Sequence, residues 1–341
     1  MSNDCYALSM INLDKKSNKI IIILGPTASG KSSTAIKLAK KFDGEIISAD
    51  SRQIFKGMDV GTGKVTGSAE SVIPSPAYRQ AGLSRDLNRK KVFISEGIPH
   101  YMLDIVSPKT DFNVVKFKKR ADKYIKDILK RGKLPIICGG TGFWIQAIVD
   151  DITYPEVKPN WELRAKLERE SLEKLLEKLK KLDPERAKTV DTKNKIRIIR
   201  AIEICKTLGK VPSMNRGPRT KNYDFLQIGV KREKEILHER IKLNVINRFK
   251  EGMIAEVEKL HANGLSWKKI MSFGLSYKLI PMYLRGEISS EEELLEKIYL
   301  AEKNYAKRQM TWFKRNSHIK WLANYKDIER EVEKFVRSPE K

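Results

Sequence analysis

A glycine-bearing loop between a predicted strand and a predicted helix restricts the possible folds of this chain more than any other feature. Residues 19–24 contain four consecutive isoleucines, which are β-branched and typical of a buried strand. Residues 32–42 repeat apolar side chains at the helical period. The sequence GPTASGKS lies between them and matches the pattern G-x-x-x-x-G-K-[ST]. This strand, loop and helix predict an α/β domain with a phosphate-binding loop (P-loop).

The composition of this loop suits an anionic ligand. Its glycines let successive backbone N–H groups turn toward phosphate oxygens, and the start of the following helix adds partial positive charge. Lys31 adds a full positive charge, and the Ser32 hydroxyl is a candidate ligand for Mg²⁺. The predicted phosphate-binding residues are Gly25, Pro26, Thr27, Ala28, Ser29, Gly30, Lys31 and Ser32. The pattern predicts phosphate binding but does not identify the reaction.

Further strands and helices alternate along the first 150 residues. GEIISAD and KLPIICGG each predict a short strand, and residues 112–130 predict a long amphipathic helix. Such alternation predicts a parallel sheet with flanking helices, as in P-loop NTPases. Residues 62–98 are polar and lack periodicity, which predicts an exposed loop.

The remaining sequence predicts a helical insertion and a helical C-terminal region. Helical patterns cover 161–182 and 193–208, and YDFLQIGV then predicts a strand that returns to the sheet. After that strand, the pattern predicts helices over 233–263, 277–285 and 290–315. We therefore divide the chain into a first part of the core (1–150), a helical insertion domain (151–222) and a segment that completes the core (223–341).

The charge balance predicts a polyanionic partner. The 341 residues include 68 Lys and Arg but 43 Asp and Glu, a formal net charge of +25. A generally lysine-rich surface is the alternative explanation.

The start of the chain lacks the pattern of a secretory signal, and the longest apolar run is too short to span a bilayer. The three cysteines lie far apart, which is typical of a protein from a reducing compartment. We therefore expect a soluble cytoplasmic protein without a membrane partner.

Two polar residues follow predicted strands, where ligands bind in open parallel sheets. Asp50 could act as a general base, hold Mg²⁺, or cap a turn with Ser51. Thr141 could present its hydroxyl to a ligand or serve only as a helix N-cap. No acidic pair suggests a water-activating ATPase, and no histidine lies near a serine or cysteine in a pattern typical of acyl transfer.

Two basic stretches predict contacts with a nucleic-acid backbone. Lys193, Arg197 and Arg200 share one stripe of a predicted helix, although a solvated face is the alternative. The sequence NYAKRQMTWFKRN, which includes Arg308, interleaves aromatic rings that could stack with basic groups that could meet phosphates.

Several stretches together resemble one family, the bacterial tRNA dimethylallyltransferases (tRNA isopentenyltransferases). They include GPTASGKS, EIISADSRQIFKGMDVGTGK, PIICGGTGFWIQAIV, LDPERAKTVDTKNKIRIIRAIEICKTLGKVPS and YAKRQMTWFKR, and they run in order along most of the chain. The resemblance implies transfer of the dimethylallyl group of dimethylallyl diphosphate to the exocyclic N6 amine of an adenosine. That adenosine lies 3′ of the anticodon in tRNAs that read codons beginning with U.

The resemblance also implies roles for individual residues. Asp50 would be the base, Thr141 would lie near the amine and the diphosphate, Lys31 and Arg240 would bind the diphosphate, and Mg²⁺ would bind Ser32. The partners would be dimethylallyl diphosphate and the tRNA anticodon stem-loop, with the enzyme a monomer. The insertion domain (151–222) and the C-terminal segment (223–341) would both contact the tRNA. The implied tRNA contacts are Asp50, Ser51, Arg52, Gln53, Thr141, Lys193, Ile196, Arg197, Arg200, Gly274, Ser276, Tyr277, Lys278 and Arg308.

This sequence departs from the family pattern at two positions. The family usually has an arginine where this chain has Asn244, with Arg248 one turn later as a candidate substitute, and a glycine where it has Ser276. Three other functions remain open on the sequence: a nucleoside or metabolite kinase, an enzyme that prenylates free adenine nucleotides, and a non-catalytic RNA-binding protein. A kinase would turn over ATP without tRNA, and the second enzyme would prenylate AMP.

Overall fold

The structure is a computed structural model that describes residues 18–71, 91–212 and 223–339. The chain divides into two compact units. The larger consists of Met1–Val149 and Lys221–Lys341, and the smaller of Asp150–Thr220. The strand that begins at Asp224 therefore belongs to the same unit as the P-loop.

One eight-stranded sheet organises the larger unit, in the order β3-β4-β5-β2-β6-β1-β7-β8. The strands are β1 (Lys19–Leu24), β2 (Gly44–Ser48), β3 (Ser68–Ser71), β4 (Lys91–Ser95), β5 (Ile98–Tyr101), β6 (Leu134–Gly139), β7 (Asp224–Val230) and β8 (Lys320–Leu322). Pairing is parallel from β5 through β8 in this order, whereas β4 is antiparallel to both β3 and β5. The parallel part places its strand ends along one edge of the sheet.

Helices cover both faces of this sheet. Helices are numbered along the chain, and the four helices of the smaller unit take the numbers between α3 and α8. The helices of the larger unit are α1 (Lys31–Lys41), α2 (Val114–Lys130), α3 (Gly142–Val149), α8 (Lys234–Lys250), α9 (Met253–Ala262), α10 (Trp267–Met271), α11 (Ser276–Leu284), α12 (Glu291–Phe313) and α13 (Tyr325–Arg337). Ile20 and Ile22 lie in the core on one face, and Ile21 and Ile23 lie in the core on the other. Burial on both faces explains the continuous isoleucine run of β1.

The smaller unit is helical and has its own core. It contains α4 (Trp161–Glu168), α5 (Leu172–Leu182), α6 (Pro184–Thr189) and α7 (Lys195–Leu208). Leu175 and Leu179 of α5 pack with Ile198 and Ile202 of α7, at the spacing expected for facing helix stripes. Side chains of Asn160, Ser171, Asp183 and Asn194 cap the four helices.

The structure confirms the parallel P-loop core and corrects several predicted elements. The 62–98 segment is not only a loop, because β3 and β4 extend the sheet; residues 72–90 lie outside the described part. The predicted helix 161–182 ends at Glu168 and restarts after the Ser171 cap. The predicted helix 233–263 breaks at Gly252, whose φ of 87° is left-handed. The prediction of helices alone after Arg232 missed β8.

A candidate active site at the carboxyl ends of the strands

The P-loop holds its backbone ready for an anion. Ala28 and Gly30 have φ of 59° and 92°, a left-handed conformation at which a side chain is strained and glycine is not. This turn leads directly into the N-terminus of α1 at Lys31. The buried Ser29 hydroxyl has no hydrogen-bond partner among the residues that the structure describes. A phosphate oxygen would satisfy both the loop amides and such a hydroxyl.

Lys31 lies over the loop with its Nζ 3.1 Å from the carbonyl oxygen of Pro26. Burial lowers its pKa, while Asp50 acts in the opposite direction. Burial also raises the pKa of the Cys138 thiol to about 11, so this thiol is neutral at pH 7. Asp50 is therefore the anionic neighbour that favours the charged form of Lys31.

Two arginines close the other side of the loop. Arg232 donates from Nε to the Ser29 carbonyl (3.0 Å), and Arg240 donates from Nε to the Ala28 carbonyl (2.8 Å). Their terminal nitrogens lie 3.6 and 3.7 Å from the position that a Cβ on Gly30 would take. The sequence predicted Arg240 but missed Arg232, although its position two residues beyond β7 follows the same strand-end rule that indicated Asp50.

Asp50 and Thr141 come together across two neighbouring strand ends. The Asp50 Oδ1 atom accepts the N–H groups of Arg52 (2.9 Å) and Gln53 (3.4 Å). Within the described residues, no donor hydrogen-bonds to Oδ2, so this oxygen can meet a substrate. The Thr141 hydroxyl accepts the N–H of Ser51 at 3.1 Å. Asp50 thus caps its own turn, as one alternative predicted, and still presents a carboxylate oxygen.

Helix α12 brings an aromatic and basic cluster to the same place. Two guanidinium groups lie over the ring of Tyr305. The Cζ atom of Arg52 is 4.6 Å from the ring centroid, and the Cζ atom of Arg308 is 5.6 Å from it. Buried Gln309 accepts the N–H of Thr27 (2.8 Å) and donates to the Gly140 carbonyl (2.9 Å). The YAKRQMTW stretch therefore connects the P-loop to the CGGTG stretch, a role for Gln309 that the sequence did not reveal.

Arg248, the candidate substitute for the arginine missing at Asn244, is held by buried partners. Its buried guanidinium pairs with Glu302 (2.6 Å) and donates to the Gly61 carbonyl (3.1 Å). Asn244 itself is exposed on α8. The guanidinium of Arg248 is therefore bound to groups of the protein itself, and its role in place of the missing arginine stays a prediction.

Glu256 of α9 binds the segment that follows the Asp50 turn. Its carboxylate accepts the N–H groups of Asp59 (2.7 Å), Val60 (2.7 Å) and Gly61 (3.0 Å), and the Tyr277 hydroxyl (2.7 Å). The carbonyls of Thr62 and Gly63 in turn accept Gln53 Nε2, both at 3.3 Å. Glu256 thus helps to position the stretch that contains Asp50 and Gln53.

Loss of the Glu256 carboxylate should destabilise the protein measurably. We expect Glu256→Ala to lower the free energy of unfolding by at least about 1–3 kcal/mol, the cost of one buried amide left without an acceptor. Glu258→Ala, an exposed site on the same helix, should have little effect. Thermal melts followed by circular dichroism would measure both variants, and equal melting temperatures would contradict this role.

The implied tRNA contacts of the larger unit fall into two groups. Arg52, Gln53 and Arg308 lie around Asp50 or Tyr305, as described. Ser276 and Tyr277 are buried and hydrogen-bond to the Gly61 carbonyl and to Glu256. Their side chains therefore support the loop, and Gly274 and exposed Lys278 are left as the members of that group that could meet RNA.

In the smaller unit, the predicted stripe is only partly present. Lys193 precedes α7, which begins at Lys195, so its predicted place on a shared helical stripe is wrong. Asn194 is the N-cap and has a non-helical backbone, so the helix begins only after it. Ile196 and Arg197 are exposed, with Arg197 3.3 Å from Asp191. Arg200 pairs with Glu203 and donates to the Val157 carbonyl at 2.9 Å.

Within the described residues, the predicted metal ligand Ser32 does not lie in a cluster of typical metal-binding side chains. In residues 18–71, 91–212 and 223–339, no group of three or more His, Cys, Asp or Glu side chains could hold a metal ion. Ser32 lies at the start of α1, half-buried beside Cys138. In the same residues, no helix is long and apolar enough to cross a bilayer.

Comparisons with known proteins identify the family of this chain. A family model described as IPP transferase matches residues 88–316, and one described as isopentenyl transferase matches residues 18–71. A tRNA dimethylallyltransferase of Acetivibrio thermocellus is 40% identical over 312 residues, covering 89% of this chain and 91% of that protein.

Two solved structures are also similar to this chain. The crystal structure of a tRNA isopentenylpyrophosphate transferase from Staphylococcus epidermidis has a TM-score of 0.62 and 36% identity, covering 93% of this chain and 98% of its own. A eukaryotic dimethylallyltransferase acting on tRNA shares the fold (TM-score 0.71) at 24% identity, covering 95% of this chain and 81% of its own. The chain therefore belongs to the tRNA dimethylallyltransferase family, whose members are also called IPP transferases.

Proposed function

We propose that this protein transfers the dimethylallyl group from dimethylallyl diphosphate to the N6 amine of the adenosine 3′ of the anticodon in tRNAs that read codons beginning with U. The reaction forms a C–N bond, breaks the C–O bond to the diphosphate and releases one proton from the amine. The observation that carries this proposal is the meeting of the P-loop, Lys31, Asp50 and Thr141 at one sheet edge in a chain of this family.

The P-loop side of the site suits a diphosphate leaving group. Negative charge grows on the bridging oxygen as the C–O bond breaks, and fixed positive groups aimed at that charge lower the barrier. Lys31, Arg232 and Arg240 surround the loop and supply these charges. Arg232 adds a second guanidinium beside that of Arg240, which would offset the absence of an arginine at Asn244.

Asp50 suits the role of general base. The adenine amine is a weak nucleophile, so its proton must be removed as the C–N bond forms. The two N–H groups bound to Oδ1 fix the orientation of the carboxylate and leave Oδ2 to accept that proton. The Thr141 hydroxyl lies on the next strand end, where it can orient the amine or the diphosphate.

The residues present also suit Mg²⁺. This ion keeps several waters and takes one or two protein oxygens together with phosphate oxygens, so a dedicated cage of carboxylates is not required. The Ser32 hydroxyl would be its protein ligand, as in other P-loops. When bound, the ion would neutralise charge on the diphosphate.

We further propose that the enzyme works as a cytoplasmic monomer.

An acceptor comparison tests the function. Purified protein, Mg²⁺ and radiolabelled dimethylallyl diphosphate are mixed with an unmodified tRNA, with AMP or with ATP. We expect label on the tRNA alone. Label on AMP would move the function to prenylation of free nucleotides, and ATP turnover without tRNA would favour a kinase. Tight tRNA binding without label on any acceptor would favour a non-catalytic RNA-binding protein.

The two arginines on the P-loop should be needed for the donor. We expect Arg232→Ala and Arg240→Ala each to lower kcat/KM for dimethylallyl diphosphate about 10- to 100-fold, since each removes a hydrogen-bonding charge worth about 1.5–3 kcal/mol. Affinity for tRNA should not change. Arg337→Ala, at the exposed end of α13, is the matched control. If both variants resembled this control, the arginines would have no part in donor binding.

A further inference from the structure

Trp161 is unusually exposed in the smaller unit. Its residue surface is 63% exposed, whereas the other four tryptophans of the chain are buried or half-buried. It is the first residue of α4, after the Asn160 cap. An indole that lies mostly in water contributes little to the core and presents its surface to a ligand.

The indole is held in place rather than free to move with its helix end. The guanidinium of Arg164 lies 5.1 Å from the ring centroid, where it covers one face through a cation–π contact. Arg164 is fixed by Glu203, with Nε 3.0 Å from Oε1 and Nη2 2.7 Å from Oε2. The N–H of Asn160 binds the same carboxylate at 2.6 Å.

Glu203 therefore fixes both the backbone before Trp161 and the cation behind its ring. It is almost fully buried, and its bonds from Arg164, Asn160 and Arg200 more than offset burial and keep its pKa below the ordinary value. The charged carboxylate makes the arrangement rigid near neutral pH. A ring that is already ordered loses little conformational entropy when a flat ligand stacks on it.

The surroundings favour a nucleobase over an apolar protein segment. Glu203 also pairs with Arg200 of α7, and Ile196, 75% exposed, lies one helical turn before Arg200. Exposed Arg197 follows Ile196. Basic residues outnumber acidic ones across residues 150–220. Aromatic rings among cations are typical of surfaces that bind single-stranded or unpaired nucleotides.

We propose that the solvent-facing side of Trp161 is a stacking site for an unpaired nucleobase of the substrate tRNA, with Arg164 as the cation behind the ring. This inference rests on the proposed tRNA prenyltransferase function and adds a specific contact to it. Trp161 takes no part in the chemical step. It contributes binding energy for tRNA that does not depend on the dimethylallyl donor.

Binding and kinetics of the full-length protein test this site. We expect Trp161→Ala to raise Kd and KM for unmodified tRNA about tenfold, within the range for loss of one base–aromatic stack. The kcat and the KM for dimethylallyl diphosphate should not change. Trp161→Phe should retain most of the affinity, since it keeps a ring. Leu182→Ala, an exposed apolar site on α5, is the matched control.

Salt dependence separates stacking from phosphate contacts. The slope of log Kd against log salt should be the same in Trp161→Ala and the wild-type protein, because a stack releases no counterion. In addition, tRNA should quench the fluorescence of the wild-type protein more than that of Trp161→Phe. An unchanged Kd and KM in a Trp161→Ala protein that melts like the wild type would overturn the proposal and favour a protein partner on this surface.

Failure of this inference can be distinguished from failure of the proposed function. The binding measurements need no catalysis, so they report on Trp161 even in a protein that transfers no prenyl group. If the wild-type protein prenylated tRNA while Trp161→Ala bound tRNA normally, only the stacking site would be wrong.

Discussion

Asp50→Asn is expected to lose about 10²- to 10⁴-fold in kcat while it retains wild-type affinity for tRNA, the size of loss typical of a missing general base. The carboxamide oxygen can still accept the N–H groups of Arg52 and Gln53, so the turn should keep its shape. The amide lacks the basicity to take a proton from the adenine amine. Single-turnover prenylation with saturating tRNA and donor measures the chemical step directly.

Asp43→Asn is the matched control for this variant. Asp43 lies in the turn between α1 and β2, where its φ of 46° also suits asparagine. It comes just before the first residue of β2, whereas Asp50 comes after the last residue of that strand. It should prenylate tRNA at the wild-type rate. An Asp50→Asn enzyme with equal activity would remove the assignment of Asp50 as the base.

Lys31→Ala is expected to lower kcat about 10²- to 10³-fold, the usual cost of removing one group that stabilises developing negative charge. It should also raise the KM for dimethylallyl diphosphate, because the ammonium binds the diphosphate before reaction as well as during it. The tRNA affinity should be unchanged. Steady-state kinetics with each substrate varied in turn measures these effects.

Lys40→Ala tests whether the loss is specific to the P-loop. Lys40 is exposed on the same helix and pairs with Glu96 at 2.7 Å. Its removal should change neither kcat nor either KM, since exposed ion pairs contribute little. If the Lys31→Ala variant were impaired only in tRNA binding, the diphosphate would have to lie elsewhere.

Local patterns predicted the centre of the fold but not its edges. The isoleucine run of β1 and the glycines of the P-loop each report a local constraint, burial on two faces and left-handed backbone. The strands β3 and β4 have no such signal, since they form through pairing at the edge of the sheet, β4 with β5 and β3 with β4. Helix breaks at Ser171 and Gly252 were missed because the apolar period continues across them.

The site shows the same division. Lys31, Asp50 and Thr141 follow predicted strands, so parallel topology alone brings them together. Glu256 and Gln309 act through backbone groups far away in the sequence, and no local pattern indicates which amide a carboxylate or carboxamide will meet. Burial of Arg248 against Glu302 is likewise a property of the packed core.

Nucleoside analysis of the reacted tRNA tests the central claim most directly. After incubation with dimethylallyl diphosphate and Mg²⁺, the tRNA is digested and its nucleosides are separated by liquid chromatography with mass detection. The account predicts one adenosine heavier by a C5H8 unit, lost when the adenosine 3′ of the anticodon is replaced by guanosine. An unmodified adenosine pool, or modification that survives this replacement, would contradict it.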